Sequence, residues 1–135
     1  AGQLMLIDTS GFLCVLDNRD RRHQDAFAIY RSAATRLTHN YVIAELIPLA
    51  ITRKFSRART LEFLVELMND PQITIIWTDD LMTEKALRLL SERNDKSWSL
   101  CDAVRFVLMD EFGLTDALTT DHHFEQAGFV RLLTS

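Results

Sequence analysis

The chain has little of what marks a polypeptide without a packed core. Its 135 residues include only 4 Gly and 2 Pro, which excludes collagen-like, low-complexity and disordered classes, and 47% of them are hydrophobic against 25% charged, the balance of an ordinary compact domain. Two cysteines, Cys14 and Cys101, are too few for a disulfide framework. Both lie in apolar stretches and are expected as buried, reduced thiols, in keeping with the cytoplasm. No apolar run approaches the roughly 18 to 20 residues that span a bilayer, and no basic segment followed by a long apolar core opens the chain, so the expectation is a soluble protein with no membrane partner. A general excess of positive charge is missing too. Fifteen Lys and Arg against nineteen Asp and Glu give a net charge of -4, which excludes a uniformly basic nucleic-acid binder.

What is present is unevenly distributed. Residues 1–59 hold nine basic and five acidic side chains, whereas residues 60–135 hold six and fourteen. Arg19, Arg21, Arg22, Arg53, Lys54, Arg57 and Arg59 form two short basic clusters in the first part, read either as solvated helix ends or as a phosphate-binding patch. The length suits one domain over residues 1–135 with a sizeable core. Residues 1–4 add little to it and are expected to be in part foreign to the domain.

Hydrophobic periodicity predicts strands over 4–7, 36–38, 72–77, 116–119 and 129–133. Between them it predicts a turn over 8–11 leading into a helix through 12–16, then helices from about 20 to 34, 41 to 55, 56 to 69, 80 to 94, 100 to 112 and 121 to 126. Asn40 is the expected N-cap of the third helix. Pro48 cannot donate to the carbonyl of Ala44, so a kink or a break into two helices is expected there, which would redirect Glu45. Alternating strands and helices imply an α/β domain with a mainly parallel sheet flanked by helices, and a functional crevice beyond the carboxyl ends of the strands. Trp77 and Trp98 read as core aromatics, and His23 and His39 as structural.

Most of the acids have ordinary places among polar neighbours or at helix starts, as do Asp79 and Asp80. Four stand where a carboxylate is costly. Asp8 ends an apolar strand, Glu45 is the sole charge from Tyr41 to Ile51, Asp102 lies in Leu100-Cys101-Asp102-Ala103-Val104 with Arg105 as its local charge, and Asp121 follows Ala117-Leu118-Thr119-Thr120. Singly, Asp8 and Asp121 suit helix caps, Asp102 a cap or an arginine pair, and Glu45 a buried arginine. Together, four such carboxylates repel one another unless a cation joins them. An oxygen-only set selects Mg²⁺ or Mn²⁺ over zinc. Asp116, at the start of a strand and away from the crevice edge, reads as structural.

Asp8-Thr9-Ser10 after the first strand, Thr38 to Glu45, Ser99-Leu100-Cys101-Asp102-Ala103 and Leu118-Thr119-Thr120-Asp121-His122-His123-Phe124 resemble the four acidic motifs of PIN domains in order and spacing, over nearly the whole chain. The likeness is greatest to the small single-domain proteins that include VapC-type toxins. It implies a three-layer PIN-like fold and a metal-dependent endoribonuclease, with Asp8, Glu45, Asp102 and Asp121 both catalytic and holding one or two Mg²⁺ or Mn²⁺ ions. A water activated by the ion then attacks an RNA phosphodiester in line. Thr9, Ser10 and Thr120 are expected to orient carboxylates or a phosphate as supporting hydroxyls, and Arg53, Arg57, Arg59, His122 and His123 to contact substrate. The resemblance also implies a homodimer and inhibition by a small antitoxin, for which exposed apolar helix faces between residues 20 and 69 are the expected surfaces.

Two other classes stand beside this reading. A phosphoacceptor receiver would carry an adjacent acidic pair just after the first strand and a lysine after a late one, whereas Asp8 is single and Thr119-Thr120 ends the late strand. A catalytically silent PIN domain, serving RNA processing or as a binding scaffold, would be marked by loss of an acid, and all four are present. Setting the four acids apart leaves fifteen, equal to the Lys and Arg, so the excess negative charge coincides with the expected site.

Overall fold

In the computed structural model, residues 4–134 are described. Five strands, β1 (Leu4–Ile7), β2 (Thr35–His39), β3 (Ile73–Ile76), β4 (Asp116–Leu118) and β5 (Val130–Arg131), form one sheet in the order β3-β2-β1-β4-β5, parallel at every pairing. Parallel neighbours need crossovers, and helices supply them. These are α1 (Thr9–Leu16) and α2 (His23–Ser32) between β1 and β2, then α3 (Asn40–Thr52) and α4 (Arg57–Met68) before β3. Next come α5 (Asp80–Glu92) and α6 (Leu100–Glu111) before β4, and the short α7 (His123–Gln126) before β5. The N-terminal segment expected to be foreign to the domain lies outside the described residues for positions 1–3, while Leu4 opens β1.

Strand alternation divides the interior into two cores. Met5 and Ile7 of β1 face one side with Phe12, Leu13, Val42, Leu46, Leu64 and Leu67 from α1, α3 and α4. Leu6 faces the other side with Trp98, Phe106, Leu108 and Phe124. Successive side chains of a strand point to opposite faces, so a strand covered on both sides reads as a continuous apolar run, and Met5, Leu6 and Ile7 are all fully buried. The result is three layers, α1 to α4 on one face and α5, α6 and α7 on the other, as the sequence implied.

Helix boundaries follow recognisable signals. Ser56 accepts from the backbone N–H of Arg59 to cap α4, Asp79 accepts from Met82 to cap α5, and Ser99 and Asp102 form a reciprocal capping box at α6, each filling donors that a first turn leaves open. Two expectations are corrected. Helix α3 runs unbroken through Pro48; Ala44 and Pro48 are both exposed, so the carbonyl that Pro48 cannot serve faces water. Asn40 is not the N-cap but the first residue of α3, whose N-cap is His39; the Asn40 side-chain oxygen Oδ1 accepts from the Thr78 N–H at 2.7 Å and ties the end of β3 to α3. Trp77 is 60% exposed, because it leaves the edge strand β3 where no neighbouring strand covers it. Cys14 is buried as expected, whereas Cys101 is only half-buried, one residue into α6.

Gly11 lets α1 lie directly against β4. A methyl group built there would sit 2.1 Å from the carbonyl oxygen of Leu118, and that oxygen belongs to backbone that accepts the Asp8 N–H, so it has nowhere to move. Gly11→Ala is expected to destabilise the fold by about 3 kcal/mol or more, read as a fall in the urea midpoint. An unchanged midpoint would show that α1 can lift without cost.

Candidate active site

The strand order places a crevice at the sheet edge. Chain connections leave β1 and β4 in opposite directions, since β2 flanks β1 on one side and β4 flanks it on the other, and such a switch point opens a gap beyond the carboxyl ends of the strands. Asp8 immediately follows β1. Thr119, Thr120 and Asp121 follow β4, Glu45 projects from the second turn of α3, and Asp102 from the first turn of α6. These four carboxylates line one cleft of about 240 Å³, together with Thr9, Ser10, Leu49, Ser99 and Arg105. Residues 113 positions apart in the chain thus share a wall, and the four acidic motifs converge.

They differ in burial. Asp8 and Asp102 are 4% and 5% exposed, while Glu45 and Asp121 keep about a third of their side-chain surface in solvent. Asp8 is the N-cap of α1 by position, yet its side chain makes no capping bond. Its Oδ2 instead accepts from the Thr119 hydroxyl at 2.9 Å, and its Oδ1 lies 2.8 Å from Arg105 Nε. Asp102 does act as a cap, with Oδ2 accepting from the Ser99 N–H at 3.1 Å, and the same oxygen is 2.9 Å from His123 Nδ1. Asp121 Oδ1 accepts from the His123 N–H at 3.0 Å.

Arg105 is the group that sequence reasoning placed only partly. It was legible as the local charge of Asp102, three residues back on the same helical face, but not as the centre of the cluster. Its guanidinium bonds Glu45 Oε1 through Nη2 and stands 3.5 Å from Asp102 Oδ1 through Nη1, besides the Asp8 contact. Burial opposes that charge, and Asp8, Glu45 and Asp102 outweigh the burial, holding the guanidinium above its ordinary pKa. The arginine pairing open to Asp102 and to Glu45 singly is thus met by one residue, Arg105, which also offsets part of the charge of the four acids together, and His123 approaches Asp102 and Asp121.

Of the three hydroxyls expected to support the acids, Thr9 meets a carboxylate directly, Ser10 bonds its neighbours, and Thr120 takes part through its backbone, while Thr119 joins them. Thr9 donates to Glu45 Oε1 at 3.1 Å, and Ser10 Oγ lies 3.1 Å from Thr119 Oγ1 and accepts from the Thr120 N–H at 3.0 Å. Thr120 contributes backbone, its carbonyl accepting from Arg131. Thr119 is the addition, bridging Asp8, Ser10 and the Asp121 N–H. Asp116, 3.3 Å from the Thr115 hydroxyl at the start of β4, is remote from the cleft lining. Arg53, Arg57 and Arg59 are absent from that lining too. Arg53 lies 3.7 Å from Asp20 in a separate charged hollow with Asp17, Arg19 and Arg22, and Arg59 pairs with Glu62 at 3.5 Å. His122 stands beside Asp121, largely exposed.

The donor set suits a hard divalent cation. Four carboxylates against one guanidinium leave a formal charge of -3 in a half-buried cleft, and Asp8 Oδ1 makes no hydrogen bond despite being buried. Among the described residues, the set whose ligand atoms lie within 4.8 Å of one another is Asp121, His122 and His123; the acidic quartet is spread more widely, around Arg105.

A PIN domain family model matches residues 5–130. The chain belongs to the PIN domain family. Within that family it is similar to the 23S rRNA-specific endonuclease VapC20 of Mycobacterium tuberculosis, 26% identical over 130 residues that cover 96% of this chain and 98% of that one, in both strains compared. Among solved structures, its fold matches that of M. tuberculosis VapC20, described as a sarcin-ricin loop cleaving toxin, with a TM-score of 0.84 at 24% identity. It also matches a chain of a toxin-antitoxin complex from Klebsiella pneumoniae with a TM-score of 0.70 at 16% identity. In both cases 97% of this chain and 99% of the other are covered. Among the described residues of this PIN domain no helix is long and apolar enough to cross a membrane.

Behind the cleft, His39 ends β2 fully buried, and neither ring nitrogen has a hydrogen-bond partner. Burial, helped by the nearby positive charge of Arg105, lowers its pKa to about 3. The unfolded chain, with histidine near 6.5, then binds more protons than the folded one between pH 6.5 and 3. This contribution to stability is full above pH 6.5 and is lost as pH falls toward 3, by up to about 1.4 kcal/mol per pH unit. In urea titrations across that range, His39→Phe is expected to flatten the slope by close to one proton. A slope unchanged by the substitution would assign the acid sensitivity to other groups.

Proposed function

We propose that this PIN domain is a divalent-metal-dependent endoribonuclease that hydrolyses RNA phosphodiester bonds, acting as the toxin of a toxin-antitoxin pair. The observation that carries the reading is the convergence of Asp8, Glu45, Asp102 and Asp121 from four separate stretches of chain on one cleft, with a surplus negative charge that Arg105 does not cancel. The 23S rRNA-specific endonuclease activity in the name of VapC20 supports RNA as the substrate.

Asp8, Glu45, Asp102 and Asp121 are the residues that would hold one or two Mg²⁺ or Mn²⁺ ions. Such an ion, when bound, supplies Lewis-acid polarisation of a phosphoryl oxygen and lowers the pKa of water. The chain's own part is orientation. The Thr119 hydroxyl holds Asp8 by Oδ2 and leaves Oδ1 beside Arg105, Thr9 fixes Glu45, and Ser99 and His123 hold Asp102 by its Oδ2. Carboxylates locked in this way need little rearrangement when charge develops opposite them. No side chain is needed as nucleophile, since the Thr9, Ser10 and Thr119 hydroxyls already serve in bonds among themselves and the acids.

His122 and His123 at the lip, and Arg57 and Arg59 at the exposed start of α4, are the proposed contacts for flanking phosphates, with Arg53 more remote through its tie to Asp20. On the same reading a protein partner covers exposed apolar side chains of α2 and α4, where Phe27, Leu61, Val65 and Met68 are 37% to 64% exposed. A small antitoxin is the proposed occupant, the toxin-antitoxin neighbour lending support, and self-association into a homodimer belongs to the same proposal.

The test is cleavage of a mixed RNA substrate with Mn²⁺ or Mg²⁺, with EDTA, and with Asp8→Asn. Cleavage is expected with either ion, absent in EDTA, and reduced on the order of 100-fold or more by the substitution. Cleavage that survives both EDTA and Asp8→Asn overturns the mechanism, and a folded protein that cuts no RNA under any of these conditions favours the scaffold alternative.

A further inference from the structure

On the metal-dependent reading, some other positive charge must hold the carboxylate cluster together before an ion does. The Arg105 side chain is 6% exposed, deep for a group that cannot shed its charge in a protein. Each of its three nitrogens meets a different acid: Nε is 2.8 Å from Asp8 Oδ1, Nη2 bonds Glu45 Oε1, and Nη1 is 3.5 Å from Asp102 Oδ1. Neighbouring groups hold the remaining oxygens of the two buried acids: Thr119 bonds Asp8 Oδ2, while Ser99 and His123 bond Asp102 Oδ2. The oxygens these groups leave over, Asp8 Oδ1 and Asp102 Oδ1, are the ones the guanidinium takes.

The Asp8 contact is also the loosest in direction. At 2.8 Å apart, Asp8 Oδ1 and Arg105 Nε are both without a hydrogen bond, so charge alone holds them together. A divalent ion competes well at such a contact, having twice the charge and no directional demand.

We propose that Arg105 is a resident counter-ion of the site, which holds Asp8, Glu45 and Asp102 together in the metal-free protein and must yield its carboxylate oxygens before a divalent ion binds. The protein is then stable without metal, binds metal more weakly than the same carboxylates would alone, and loads its site according to the free divalent concentration. Arg105 is a positioning residue in this scheme, acting on the ligands and touching neither substrate nor the reacting atoms.

Binding, read separately from cleavage, tests this. Mn²⁺ affinity is measured by calorimetry, and thermal midpoints with and without Mn²⁺, for the wild type, Arg105→Gln, which keeps hydrogen-bond donors but no charge, and Arg105→Lys, which keeps the charge. Removing a unit charge within a few ångströms of the ion is expected to tighten Mn²⁺ binding roughly tenfold or more in Arg105→Gln. That variant should also melt lower than wild type without metal and regain the loss on adding it, while Arg105→Lys binds close to wild type. Equal or weaker Mn²⁺ binding by Arg105→Gln overturns the proposal, whether or not either protein cuts RNA; tighter binding by a variant that cuts no RNA supports it and counts against the nuclease reading instead. Should Arg105→Gln fail to fold without metal, the wild type decides. With ¹⁵N-labelled arginine, saturating Mg²⁺ is expected to shift the Arg105 Nε–H resonance and hasten its exchange with solvent, and a resonance that stays in place at saturation overturns the proposal.

Discussion

Asp8 is 4% exposed at the end of a strand that is buried on both faces, and its carboxylate can stay charged there only if neighbours replace the water it has lost. Thr119 replaces part of that water with a hydrogen bond, and Arg105 supplies the opposite charge. Arg105 can itself be buried because Glu45 and Asp102 share it. Each ion is therefore tolerated on account of the others, which is the usual condition for burying charge. Truncating one member strands the rest, a loss of about 3 to 5 kcal/mol for a buried pair. The cluster is in this sense a single unit, although its members come from β1, α3 and α6.

The sheet order makes that unit possible. Because β1 lies between β2 and β4, the stretches that follow β1, β2 and β4 all emerge at the same edge of the sheet. Helix α3 starts at the residue after β2, which leaves Glu45 little freedom of placement. Helix α6 packs on the opposite face through Phe106, Leu108 and Met109, and its first turn brings Asp102 and Arg105 in from that side. Gly11 sets how closely α1 approaches β4, and so the separation between Asp8 and Thr119, with the Asp8 N–H also bonded to the carbonyl of Leu118, the residue before Thr119. Packing on both faces of the sheet is thus what fixes the distances at its edge.

The sequence revealed those parts of this arrangement that depend on one segment at a time. The strand β1 was readable because a strand covered on both faces becomes an apolar run, and the start of α5 because Asp79 suits a cap. Each acid stood out against its immediate neighbours for the same reason. Relations between segments were another matter. Spacing pairs Arg105 with Asp102 at one helical turn, but nothing local brings it to Glu45, 60 residues away. Thr119 reads as an ordinary strand-end hydroxyl until the sheet sets it against Asp8. Pro48 misled because its cost depends on whether the freed carbonyl finds water, and the exposure of Ala44 and Pro48 is a tertiary fact. Trp77 misled likewise, since whether a strand end is covered depends on β3 being an edge.

The same reassignment changes the electrostatics of the molecule as a polyanion would meet it. Counting fifteen Lys and Arg against the fifteen acids outside the quartet makes the body neutral, but Arg105 belongs to the quartet, so the cleft stands at -3 and the body at -1. The basic character of the first 59 residues is also partly spent internally. Asp17 holds Arg19 and Asp20 holds Arg22, each through a two-bond pairing, and Arg53 lies close to Asp20. The hydrogen bonds from Arg19 and Arg22 lower the pKa of Asp17 and Asp20 against their burial, so both hold their charge to lower pH than an ordinary carboxylate. These pairings fix several arginines in place, and the cleft itself, at a formal -3, repels a phosphate chain. On the proposed function, attraction has to arise at the site: each divalent ion adds two positive charges within the cleft, and the first alone takes its formal charge from -3 to -1. Loading of the ion and approach of the substrate are then coupled by charge, and Arg105, by opposing the first, also bears on the second.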